Sequence, residues 1–413
     1  MVKGTNQKIF YGYIIVAAST LILVVMHGLH STYGIFFSSI QNELSSSRAL
    51  ISGASSLAFF LEGLFAVPLG RLTDKYGPRI VVTSCGIIFG LGYLFMSRMT
   101  SLWQLYIFYP VLVGVGTASG NVSLLSTVTR WFILRRGLAT SIIKAGTGIG
   151  FFVMPLVASW LILGYGWRNA YVFLSIIAIV GVVAFAQFLR SDPARMGLQP
   201  YGTYNADGTA AKMIAGVQLS LQEAMRTRSF WILCAVYFVG WYATQSIMIH
   251  IVPYAIDSGI TAGPAAGVLS IIGAVSIAGR LTSGGIVDRL GGRRALMVCF
   301  IILITALTFL QFTRGLWMLY AFAVVYGFAH GGLFTVMSPI VAELFGTKAH
   351  GTNFGMVLFL GQIGGAIGPV VTGRIFDVTG SYQLAFWISI VASTTTLLLG
   401  VLQIRPVPVK PRS

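Results

Sequence analysis

Long apolar runs alternate with short polar ones along the whole chain. An α-helix rises about 1.5 Å per residue, so a run of about 20 apolar residues crosses the hydrocarbon core of a bilayer. Twelve such runs occur, at approximately 11-33, 50-70, 79-98, 102-128, 137-160, 168-189, 230-254, 263-286, 294-313, 316-340, 352-374 and 383-404. The pattern predicts an all-α integral membrane protein of twelve transmembrane helices. One long polar stretch interrupts it, 190-229, containing "SDPARMGLQPYGTYNADGTAAK". It reads as a flexible cytoplasmic linker between an N-terminal six-helix bundle (1-189) and a C-terminal one (230-413), with a short surface helix expected in "LSLQEAMRTRSF" (219-230).

Composition agrees with lipid as the solvent. Hydrophobic residues make up 56% of the chain and charged ones 9%, too apolar a balance for an ordinary soluble globule. The first run exceeds a signal-peptide core and has no small-residue cleavage site, so it is expected to be retained as a helix. Cys85, Cys234 and Cys299 fall inside spans without paired spacing, which points to packing residues and not to a disulfide framework or a metal site.

A net charge of +17 would suggest nucleic acid in a soluble protein. Its distribution gives a different reading. With the N-terminus inside, the inner segments gather most of the cations, among them Arg71, Lys75, Arg130, Arg135, Arg289 and Arg294, while the outer ones hold Arg48, Arg98, Arg168, Arg314 and Arg374. Such an asymmetry predicts both termini on the cytoplasmic side of the cell (inner) membrane, and no nucleic-acid partner.

The chain also repeats itself. "GRLTDKYGPR" (70-79) and "GGIVDRLGGR" (284-293) share Gly70/Gly284, Asp74/Asp288, Gly77/Gly291 and Arg79/Arg293, each pair 214 residues apart. Gly137/Gly351 and Pro155/Pro369 keep the same offset, the mark of a duplicated six-helix unit.

Twelve spans in two halves, with this glycine, aspartate and arginine loop after the second and the eighth, resemble the major facilitator superfamily of secondary transporters. "RWFILRRGLATSIIKAGTGIG" (130-150) is similar to the entry to the fifth helix of monocarboxylate transporters, through Phe132, Arg135, Arg136, Leu138, Ala139, Ala145, Gly146 and Gly150. "FYGYIIV" (10-16) is a weaker match to the first helix of that family. The resemblance implies proton-coupled symport of lactate, pyruvate or a similar monocarboxylate, driven by the proton gradient without a cofactor, by a protein that works as a monomer. It also makes the repeated loop residues Gly70, Asp74, Arg79, Gly284, Asp288 and Arg293 cytoplasmic gating elements.

Arg280 carries the chemistry. A guanidinium inside a spanning helix requires water, a partner or an anion beside it. As an anion site its planar fork fits a carboxylate. As a structural group it would pair with Asp288 two turns away or snorkel to the inner surface. The first reading is the stronger, and the resemblance supports it, because monocarboxylate transporters keep an arginine at this place in the eighth helix. They usually place an aspartate one turn earlier, where this chain has Ser276, so the titratable role must lie elsewhere.

Three groups are candidates for that role. Asp257 shares a helical face with His250 and Tyr254; it lies near the outer end of its span, and Pro253 could fold it inward. His250 lies closer to the membrane centre, and histidine exchanges protons near neutrality. Glu62 stands at the level of Ser276 by the repeat. Each has a plainer alternative, as a solvated helix end, a packing histidine and a paired structural glutamate. His27, His30, Tyr33 and Asn121 lie on helices that line the central cavity in the superfamily, and could bind a substrate hydroxyl or tie helices together. Phe334 and Phe359 could form an apolar wall. Lys144 is expected to snorkel towards the cytoplasm, and the small residues of "AGTGIG" (145-150) to let helices pack closely.

An anion antiporter of formate or a dicarboxylate is the rival within the superfamily. Relatives of that kind add a lysine on the eleventh helix, and "NFGMVLFLGQIGG" (353-365) contains no cation. An enzyme is not indicated, since no metal-ligand spacing or nucleophile elbow occurs.

Overall fold

A computed structural model describes residues 10–46, 48–203 and 218–400. Residues 1–9, the central part of the linker (204–217) and the end of the twelfth run (401–404) with the tail beyond it lie outside the described residues. The helices are α1 (Tyr11–Ser31), α2 (Tyr33–Leu44), α3 (Arg48–Tyr76), α4 (Pro78–Met96), α5 (Leu102–Ile107), α6 (Gly114–Trp131), α7 (Arg136–Ala186), α8 (Leu221–Met225), α9 (Arg228–Asp257), α10 (Ala262–Leu290), α11 (Gly292–Leu310), α12 (Leu316–Phe345), α13 (His350–Thr379) and α14 (Gln383–Thr395). A π-helical turn, Phe108–Val113, joins α5 to α6.

Ten helical segments among the described residues are long and apolar enough to cross a bilayer. One of them, α7, runs for 51 residues, more than twice what one crossing of a core about 30 Å thick requires. Gly166, at φ 79° and ψ 160°, breaks α7 into the fifth and sixth crossings, a backbone conformation that glycine adopts without steric cost. The shorter apolar helix Gln383–Leu398 supplies the twelfth.

The repeat governs the helix ends. Adding 214 to the bounds of α3 gives those of α10, α4 gives α11, the α5 to α6 run gives α12, and the start of α7 gives the start of α13. Gly166 itself maps onto Gly380, which follows α13 with positive φ, and Gly77 onto Gly291, at φ 87° and 84°. Within the first half α7 packs along α1 and α4; in the second, α10 packs on α12 and α13 on α9. Two long contacts join the halves, α3 against α13 and α7 against α10.

Glycine makes the closest of these approaches possible. A Cβ on Gly146 would meet the Thr20 carbonyl oxygen, and one on Gly150 would meet the backbone of Val24 and Gly28, so the small residues of α7 let α1 lie directly on it. Cys85, Cys234 and Cys299 are free and buried.

The described ends of the linker are bound to the bundles, contrary to a linker flexible throughout. Tyr201 donates its N–H to the Trp131 carbonyl (2.8 Å) and accepts from Ile133 (3.0 Å). Its ring lies against Phe10 and Phe132. Beyond the undescribed stretch, Gln218 Oε1 accepts the N–H groups of Thr347 and Lys348, and Leu219 donates to the Phe345 carbonyl. The expected surface helix is α8, opened by a reciprocal Ser220 and Glu223 capping box.

Candidate functional site

The repeated loops place one carboxylate from each half at the helix start of the other. Asp74, near the end of α3, accepts the Gly351 N–H (3.2 Å), the Thr352 N–H (3.0 Å) and the Thr352 hydroxyl (3.0 Å) at the start of α13. Asp288, near the end of α10, accepts the N–H groups of Gly137 (2.6 Å) and Leu138 (2.9 Å) at the start of α7. The first N–H groups of a helix lack intrahelical partners and form the positive end of its dipole, so each carboxylate satisfies donors across the seam.

Glycine again sets the spacing. A Cβ on Gly70 would strike the Gly351 carbonyl, and one on Gly137 the Gly284 carbonyl. Towards the other end of the same seam, Gly53 and Gly267 meet only their own half, and Gly164 meets nothing. The halves are therefore closed on each other at the end that carries the motifs. Asp74 also holds Arg130 (3.1 Å). Arg79 donates instead to Gln187 Oε1 (2.9 Å), tying α4 to the chain just after α7, and Arg293 is half-buried in the first turn of α11.

Between the halves lies a cavity of about 190 Å³, far above the roughly 10–15 Å³ that one water needs. Its lining side chains recur at intervals of three and four: Lys144, Thr147 and Phe151 on α7; Trp241, Gln245 and Met248 on α9; His330, Phe334 and Met337 on α12. This is the period of one helical face, so each helix offers the cavity a single stripe.

Arg280 reaches this cavity from α10 and is 6% exposed. Its Nε and Nη1 are buried without a hydrogen-bond partner, and among the described residues it forms no ion pair. Arg280 does not pair with Asp288: no ion pair joins them among the described residues, and that carboxylate accepts the α7 N–H groups. Gly148 supplies the space: a Cβ there would lie 2.9 Å from Nη1.

A polar cluster occupies the side of the cavity formed by the first half. Lys144 Nζ donates to Asn121 Oδ1 (2.6 Å), and Asn121 Nδ2 donates to Glu62 Oε1 (3.0 Å) and to His27 Nε2 (3.0 Å). An amide nitrogen only donates, so His27 accepts at Nε2 and carries its proton on Nδ1, which has no partner. All four side chains are buried. The site thus combines two cationic groups, one carboxyl group and several open hydrogen-bonding atoms in a low-dielectric cleft, an arrangement suited to one small anion.

Of the residues singled out by sequence, Arg280, Glu62, Asn121, His27, His30 and Phe334 line this cavity. Four others lie elsewhere. Helix α9 runs through Pro253 without turning inward, and Asp257 is its exposed last residue. His250 lies 2.9 Å from the Pro369 carbonyl, which its Nε2 meets, and against Tyr382, tying α9 to α13 and to the start of α14. The Tyr33 hydroxyl donates to the Ile51 carbonyl (2.6 Å), and Phe359 packs on Phe60.

Lys144 is the chief residue whose place sequence reading mistook, since it turns to the cavity and not to the membrane surface. Lys144 stands four residues before Gly148, on the face of α7 that meets Arg280, a placement that only the packing of α7 on α10 discloses. His330 and Gln362 were not singled out, although an imidazole and an amide in apolar runs carry the same signal as His27 and Asn121; Trp241 carries none.

Comparison with known proteins agrees with this architecture. The sequence pattern of the Major Facilitator Superfamily matches residues 19–313 and 281–413. Monocarboxylate transporter 13 of Rattus norvegicus is 28% identical over 379 residues, covering 91% of this chain and 85% of that protein. Monocarboxylate transporter 12 of Homo sapiens is 25% identical over 399 residues, covering 91% and 77%. Among solved structures, the transporter FucP in its outward conformation superposes with a TM-score of 0.71 at 17% identity, covering 95% of this chain and 99% of that one. The E. coli fucose:proton symporter gives the same score at 16% identity, with 95% and 98% covered. With twelve crossings in two register-matched halves and the pattern matched along nearly its whole length, this chain belongs to the Major Facilitator Superfamily of transporters and is related to the monocarboxylate transporters.

Proposed function

We propose that this protein moves a small monocarboxylate, such as L-lactate or pyruvate, together with a proton across the cell (inner) membrane by alternating access. The observation that carries the reading is the buried, unpaired guanidinium of Arg280 in a cavity between the halves. Two charges 4 Å apart at an effective dielectric of about 20 attract by roughly 4 kcal/mol before desolvation is subtracted, enough to bias occupancy. The charge balance supports coupling. Arg280 and Lys144 against Glu62 leave one formal positive charge, and adding an anion and a proton together leaves that sum unchanged as the halves rock.

Glu62, hydrogen-bonded through Asn121 to Lys144 and His27, takes the proton-coupling role on this reading. The cation-rich motif end faces the cytoplasm, in keeping with the positive-inside rule. On this reading the closed seam is one state of the alternating cycle, and the protein works as a monomer and without a cofactor.

Uptake of labelled L-lactate into proteoliposomes tests the site. Arg280→Ala should abolish it, and Arg280→Lys, which keeps the charge and loses the fork, should reduce it about 10- to 100-fold, by analogy with the loss of a charge-assisted bidentate pair. Near-normal uptake by Arg280→Ala would remove the proposed anion site. A second reading, exchange of a formate or dicarboxylate anion, gains support from Lys144 as a second cation in the same cavity. Oxalate counterflow that is indifferent to a pH gradient would favour it.

A further inference from the structure

Part of the cavity wall is aromatic. Phe59 of α3 lies 5.9 Å from Trp241 of α9, ring centre to ring centre, and Trp241 lies edge-on to Phe334 of α12 at 4.7 Å. Phe334 in turn lies 4.8 Å from His330, one turn earlier on α12. His330 has an unpartnered buried Nδ1, and the next residue, Gly331, packs against the α10 backbone at Ser276 and Arg280. An anion anchor, a free imidazole nitrogen and three aromatic rings therefore follow one another along one wall. Gln362 on α13 also lines the cavity, but its Oε1 lies against Gly63 of α3, whereas Arg280 lies against Gly148 of α7.

A two-carbon or three-carbon acid would satisfy Arg280 and leave the rings facing water. Aromatic faces are apolar surface, and covering them with a substrate ring releases that water and adds edge and face contacts. The orphaned His330 nitrogen, on the helix that packs on α10 at Arg280, calls for a second polar group on the substrate, close to its carboxylate: a hydroxyl exchanges a hydrogen bond with it.

Resting on the reading of this site as a monocarboxylate carrier, we propose that its preferred substrates are 2-hydroxy monocarboxylates bearing a bulky, aromatic side chain. The carboxylate lies on Arg280, the 2-hydroxyl meets His330, and the ring lies against Phe334, Trp241 and Phe59. The polar cluster of the first half keeps the charge balance and makes no demand on the tail, so the tail is selected by the second half and Phe59.

Isothermal titration of the detergent-solubilised full chain with L-lactate, 2-hydroxyisocaproate, 3-phenyllactate and 3-phenylpropionate tests this directly. Affinity should rise along the first three, with 3-phenyllactate about 10- to 100-fold tighter than L-lactate, the range expected for burying a phenyl group. 3-Phenylpropionate, which lacks the hydroxyl, should fall below 3-phenyllactate. Phe334→Ala should cut the ratio of 3-phenyllactate to L-lactate affinity about tenfold, and Trp241→Phe, which keeps a ring in place, should cut it less. Binding of L-lactate that equals or exceeds that of 3-phenyllactate in the unaltered protein overturns the inference and leaves the carrier reading intact. Failure of all four acids to bind overturns both.

Discussion

The motif seam and the cavity use the same duplicated scaffold in opposite ways. At the seam the halves are copies: Asp74 and Asp288, Gly70 and Gly284, Gly137 and Gly351 stand 214 residues apart and make the same contacts across it. At the cavity the offset joins unlike residues, His27 with Trp241, Lys144 with Leu358, Glu62 with Ser276 and Ala66 with Arg280. Each half caps a helix of the other, so the seam is reciprocal and keeps matched chemistry. L-lactate has no two-fold symmetry, and a wall that grips it, as proposed, must lose that symmetry too.

Importing one half's chemistry into the other should break the site most severely. Lys144→Leu gives α7 the residue that α13 has at the equivalent position. It leaves Asn121 Oδ1 without its donor and Glu62 without a neighbouring cation. Removing one partner of a buried charged network costs about 3–5 kcal/mol, so lactate uptake should fall at least about 100-fold. Uptake within a few fold of the unaltered protein would mean that the ammonium merely fills space and that the charge balance proposed for the cavity is wrong.

Glu62→Gln is a gentler version of the same test. It keeps a hydrogen-bond acceptor for Asn121 and removes the proton. Exchange of labelled for unlabelled lactate at equal pH should persist at about one third or more of its rate, since a neutral bond to Asn121 is worth only about 1 kcal/mol. Accumulation driven by an acidic outside should vanish. A variant that still concentrates lactate in response to the pH gradient would move the coupling role to His27 or Lys144.

The motif seam offers a comparison within the symmetric region itself. Asp74 accepts three hydrogen bonds from α13 and holds Arg130, whereas Asp288 accepts two hydrogen bonds from α7. The position equivalent to Arg130 is Leu344, so the second half has no copy of that ion pair. Asn keeps part of each cap, and the extra charge-assisted bond at Asp74 is worth about 1.5 kcal/mol or more. Asp74→Asn should therefore open the motif end about tenfold more than Asp288→Asn. Spin-label distances across that end read the difference, and equal shifts would make the ion pair irrelevant to closure.

These contrasts also explain what the sequence disclosed. The twelve spans and the repeat were legible because hydrophobic runs and a fixed offset are properties of the chain alone, and the helix ends follow that offset. Arg280, Glu62 and Asn121 stood out because charge or amide groups are anomalous in an apolar run. The aromatic wall was hidden: Trp241 and Phe334 suit lipid, core and cavity equally well, and only the packing of α9 and α12 decides which they face. Lys144 was misread because its depth of about two helical turns lies within reach of the surface for a long side chain. The turn of its helix face towards α10, and not its depth, determines where the ammonium goes.

Asp257 should show the smallest effect, and it separates the two regions from the rest of the molecule. Pro253 suggested a break that would carry this carboxylate inward, but a proline within a spanning helix is accommodated where neighbouring helices satisfy the freed backbone groups. Helix α9 continues to Asp257, which ends it in the open, away from the cavity and at the opposite end of the helix from Arg228, where α9 leaves the motif side. A substitution at an exposed helix end changes stability by about 0.5 kcal/mol or less. Asp257→Asn should accordingly leave both lactate uptake and its response to a pH gradient within about twofold of the unaltered protein, since 0.5 kcal/mol corresponds to roughly that factor. A loss of proton coupling in this variant alone, with Glu62→Gln still coupled, would show that the carboxyl at the helix end and not the one in the cavity carries the proton.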